Sequence, residues 1–69
     1  MDEREIFELI LKADDALKYA TEDKIGARAR QAREFLTQAR DEALAIGNRG
    51  LVEQAERRLA DLESLPGAD

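Results

Sequence analysis

Neither cysteine nor histidine occurs anywhere in this 69-residue chain. Their absence excludes disulfides and thiolate or imidazole metal sites, and it removes the usual base for activating a hydroxyl nucleophile. Tryptophan is missing too, and two phenylalanines and one tyrosine are the only aromatic residues. A stacking platform for nucleic-acid bases therefore has little to be made from. Positive charge is in deficit, with 11 Lys and Arg against 16 Asp and Glu and a net charge of −5. That balance disfavours sequence-independent binding to nucleic acid or to an anionic membrane. No apolar run approaches the roughly 20 residues of a membrane span. The opening "MDEREIFELI" is acidic where a secretory signal is basic, so the cytoplasm is the expected location.

What the chain does have is alanine and charge. Twelve alanines, a single proline and 39% charged residues describe an all-α composition, because Ala, Leu, Glu, Arg and Lys lose little side-chain freedom in a helix. A chain of this length buries only about 60% of its unfolded surface and needs help to be stable. With disulfides and such metal sites excluded, regular helix packing or self-association must supply it.

Three helices are predicted, over about residues 3–20, 22–46 and 49–64, forming one antiparallel three-helix bundle across 1–65 with a flexible tail at 66–69. Asp2 followed by Glu5 is a capping-box start. Ile6, Leu9, Ile10, Ala13, Ala16, Leu17 and Ala20 then share one face, and Glu8 with Lys12 and Asp14 with Lys18 are four-apart ion pairs in the favourable order. The first break is expected between Ala20 and Lys24, with Thr21 as the cap of the second helix. A single helix running on to Ile46 is the alternative, a rod that would have to dimerise. In the second helix Ile25, Ala29, Ala32, Leu36, Ala39, Ala43 and Ile46 form a seam at four- and three-residue steps, flanked by Phe35 and Leu44. A helix so patterned is central and touches two neighbours. Gly47 supplies a left-handed exit and Asn48 caps the third helix, whose inner face is Leu51, Val52, Ala55, Leu59 and Leu62. Glu53 with Arg57, and Arg57 with Asp61, are expected to lace its outer side. Pro66 and Gly67 are expected to end it.

The spacing of Ala32, Leu36 and Ala39, followed by Ala43, Ile46, Gly47 and Asn48 and then by Ala55 and Leu59, resembles the second helix, turn and next first helix of a tetratricopeptide repeat. The likeness covers about 28 of the 69 residues. Ala60 stands where the family usually has glycine, Glu63 where it usually has an aromatic residue, and the first helix lacks the family's Trp, Leu-Gly and Tyr series. The resemblance implies about one and a half repeat units, a helix-turn-helix for the last two helices, and a role in protein–protein contact.

Few residues could carry chemistry. Asp14, Asp15, Glu22 and Asp23 are the main acidic cluster, but neighbouring helical residues point about 100° apart and no calcium-loop spacing is present. No catalytic residue, metal site or cofactor is expected. Arg30, Arg33 and Arg40, with Thr37 among them, line one edge of the second helix. They could grip a carboxylate on a partner, but pairing with the first helix is the expectation, since residues 2–18 carry six acids against three bases. Phe7 and Leu11 lie about 100–140° from Ile6 and, with Ile10, widen that face beyond what one neighbour covers. Either both other helices cover them or a partner does. The candidate interface is therefore Phe7, Ile10, Leu11, Arg30, Arg33 and Arg40, and the expected function is non-enzymatic protein–protein interaction, a homodimer included. Three alternatives remain open: a groove along the second helix for a partner's amphipathic helix, a small-ligand or metal-dependent regulator, and an engineered or excised repeat fragment.

Overall fold

A computed structural model describes residues 1–64 and shows an all-α three-helix bundle: α1 Glu3–Lys18, α2 Ile25–Ala45 and α3 Arg49–Glu63. The tail expected at 66–69, and Pro66 and Gly67 as the end of the third helix, lie outside the described residues.

α1 begins as its first residues dictate. The Asp2 carboxylate accepts from the Glu5 N–H at 2.8 Å, and the Glu5 carboxylate accepts from the Asp2 N–H at 3.2 Å. Two donors that a helix start leaves bare are thereby satisfied, and both acids sit at the positive end of the helix dipole. The far end differs from expectation. α1 stops at Lys18, and residues 22–24 form a short 3-10 turn before α2 opens at Ile25. Between α1 and α2 no residue takes the left-handed conformation, which among the described residues is confined to Gly47. The chain instead leaves α1 by tightening, with the Ala20 N–H bonded to the Leu17 carbonyl and the Lys24 N–H to that of Thr21. Thr21 does not cap α2; its hydroxyl donates to the Asp23 carboxylate at 2.7 Å. The break rules out the continuous rod.

The second turn follows its sequence closely. Gly47 adopts φ 72°, the Asn48 N–H reaches back to the Ala43 carbonyl at 2.9 Å, and the Gly47 N–H to that of Leu44 at 3.1 Å. These bonds satisfy carbonyls that the end of α2 would leave bare. The Asn48 side chain then accepts from the Leu51 N–H at 3.1 Å and caps α3.

Both short connections reverse the chain, so α1 and α3 each run antiparallel to α2 and parallel to one another. They pack on α2 and scarcely touch each other. The seam of α2 explains this: Ala29, Ala32, Leu36, Ala39 and Ala43 are all buried, and the four alanines let two backbones approach. Ile6 and Ile10 of α1, Leu36 of α2 and Leu62 of α3 are the large side chains wholly inside. Leu17, Phe35 and Leu59 close the core's margin, half-buried, while the seam's last position, Ile46, is exposed. No polar or charged side chain is buried among the described residues.

One ion pair ties α1 to α3. Arg58 Nε lies 3.0 Å and 3.2 Å from the two oxygens of Asp14, and its Nη1 donates to the Gln54 carbonyl at 3.4 Å. None of the four helical pairs expected along α1 and α3 closes to ion-pair distance. Exposed pairs of that kind are worth only a few tenths of a kcal/mol, too little to hold two long side chains in place. Asp14 turns instead to a guanidinium that is two-thirds covered.

Candidate interaction surfaces

The residues singled out on α1 separate into two environments. Ile10 is completely buried, so it belongs to the core and leaves the candidate interface. The helical turn is the reason: Ile10 lies within about 40° of Ile6, in the middle of the face that meets α2 and α3. Phe7 and Leu11 remain 42% and 43% exposed, so the two neighbouring helices cover them only in part. Phe7 borders an open hollow with Leu51 and Gln54, where α1 and α3 run side by side. Leu11 is turned about 140° from Ile6 and stands near the back of α1, among charged residues. Tyr19, at the C-terminal cap of α1, is 71% exposed, and the Lys18 ammonium lies 5.5 Å from its ring centre.

The arginines of α2 do not pair with α1. The flank of α2 facing α1 is marked by Arg28, Gln31 and Phe35, which share a hollow with Lys12, Asp15, Ala16 and Tyr19. Arg33 and Phe35 are two residues apart, so they point about 160° away from each other. Arg33, Thr37 and Arg40 therefore form the opposite shoulder of α2, half-buried and turned away from the α1 acids. Arg40 is bonded at 3.1 Å to Asp41, its neighbour in the chain, and Arg30 and Arg33 make no ion pair among the described residues. Leu44 continues the shoulder one turn beyond Arg40 and is 60% exposed.

The acids weighed as a cluster go separate ways. Asp14 is held by Arg58 and Asp23 by Thr21, and no group of three or more acidic residues converges among those described. The surface hollows are open rather than enclosed; one of about 520 Å³ lies over α2 between Arg33 and Glu42. None of the described helices is long and apolar enough to cross a membrane.

The Asp14–Arg58 bridge escaped sequence reasoning because its partners stand 44 positions apart and no periodicity links them. The exposure of Leu44 had a signal in its place about 100° off the seam. Comparison with protein-family models, with curated proteins and with solved structures finds no match.

Proposed function

We propose that this chain is a non-enzymatic helical module that acts by protein–protein association, a second copy of itself included, in the cytoplasm. The observation that carries this is the position of Leu11 and Phe7. Large apolar side chains left on the outside of a small bundle weaken its solubility and add little to its core, and contiguous exposed apolar surface marks contact sites. Leu44 adds a second such point on the far shoulder of α2. The likeness of the α2–α3 joint to a tetratricopeptide repeat supports the same role.

Sedimentation equilibrium from micromolar to millimolar protein tests the proposal. The expected result is an average mass that rises with concentration, and a Phe7→Ser/Leu11→Ser variant that stays folded yet holds the mass of one chain. A wild-type mass of one chain throughout would remove self-association. A variant that associates as strongly as the wild type would remove these two residues from the contact.

A further inference from the structure

Two stripes on opposite parts of the molecule match each other in spacing and in charge. On the back of α1, Glu8, Leu11 and Asp15 follow one another at steps of three and four and lie within about 60° of arc. On the shoulder of α2, Arg40, Thr37 and Arg33, taken from C- to N-terminus, repeat the same steps of three and four within about the same arc. Seven residues advance a helix by about 10.5 Å and return it to nearly the same side, so each stripe presents two like charges at one common separation. Glu8 and Asp15 are exposed while Arg33, Thr37 and Arg40 are half-buried; among the described residues Glu8, Asp15 and Arg33 make no ion pair, and Arg40 pairs with its adjacent Asp41. Within one chain the stripes cannot meet, because the arginine shoulder is the flank of α2 that faces away from α1.

We propose that they meet between copies: the back of α1 on one chain docks antiparallel along the α2 shoulder of the next, with Glu8 against Arg40, Leu11 against Thr37 and Asp15 against Arg33. This rests on the self-association proposed above and specifies its geometry. The antiparallel direction follows from the step order, since three-then-four on α1 matches three-then-four on α2 only when α2 is read backwards. Leu44 then falls opposite the first turn of the incoming α1, near Arg4 and Phe7, and gains apolar cover. One turn the other way, Arg30 meets Lys18, a like-charge pair that limits the contact to this stretch. Because the two surfaces differ, the contact does not close on itself as a two-fold dimer does; copies add head to tail into chains or rings.

The test uses two charge-reversed proteins, Arg33→Glu/Arg40→Glu and Glu8→Arg/Asp15→Arg, with folding checked by circular dichroism and self-association measured by sedimentation. Each alone is expected to associate at least about tenfold more weakly than the wild type, since reversal sets like charges opposite one another. An equimolar mixture is expected to recover association, because the acidic α1 of the first protein meets the intact α2 shoulder of the second. The Glu8→Arg/Asp15→Arg protein is the sharper control. Its substitutions draw the net charge of −5 close to neutral, which would favour association if general repulsion governed it. Lys18→Glu is expected to strengthen wild-type association by facing Arg30, and an unchanged or weaker dissociation constant would overturn the register. Association of the wild type that neither reversal weakens, or that mixing does not restore, overturns this docking and leaves self-association standing. A wild type that never exceeds the mass of one chain removes both.

Discussion

Ile10 and Leu11 are neighbours in the chain, nearly equal in size and hydrophobicity, and opposite in environment. One is completely buried and the other is 43% exposed on the outer face of the same helix. Leu36 and Thr37 divide α2 less sharply, the first buried and the second half-buried on the arginine shoulder. The difference teaches where the two tasks of so small a chain are kept. The inward positions hold three helices together, and the outward apolar positions are surplus to that purpose and open to contact.

That division is broken most severely from the inside. Ile10→Ala is expected to cost about 2–5 kcal/mol, the usual range for emptying a buried aliphatic site, and chemical denaturation would read it as a lower midpoint. Ala39→Leu comes next. It forces three extra carbons between backbones that Ala39 allows to lie close, with an expected loss of about 1–3 kcal/mol and a lowered melting temperature. Asp14→Asn tests the border between the faces. Its partner Arg58 keeps access to water, so thermal melts should register less than about 1 kcal/mol. Leu11→Ser should change the stability of the single chain least of all, by about 0.5 kcal/mol or less, and yet lower the sedimented mass. A Leu11→Ser loss as large as that of Ile10→Ala would erase the contrast between the faces.

Much of this fold could be read from the chain, and the two turns show why the rest could not. The α2–α3 joint is spelled out locally: Gly47 alone can take the left-handed exit without strain, and Asn48 stands where a cap is needed. The α1–α2 joint carries no such residue. Thr21 has the chemistry of a cap, but its hydroxyl is taken by Asp23, and the chain turns through a 3-10 segment that starts α2 three residues late. The buried seam of α2 was legible because periodicity alone places it. The arginine shoulder was legible as a stripe but not in its direction, since nothing local reveals which flank of α2 receives α1. The same gap made pairing of Arg33 and Arg40 with the α1 acids look plausible.

Residue-resolved amide spectra recorded on dilution from millimolar to micromolar protein test the central claim most directly. The account predicts that signals of Phe7, Glu8, Leu11 and Asp15 shift together with those of Arg33, Thr37, Arg40 and Leu44, while Ile10, Leu36 and Ala39 hold still. Spectra that do not change with concentration, or shifts confined to some other face, would contradict it.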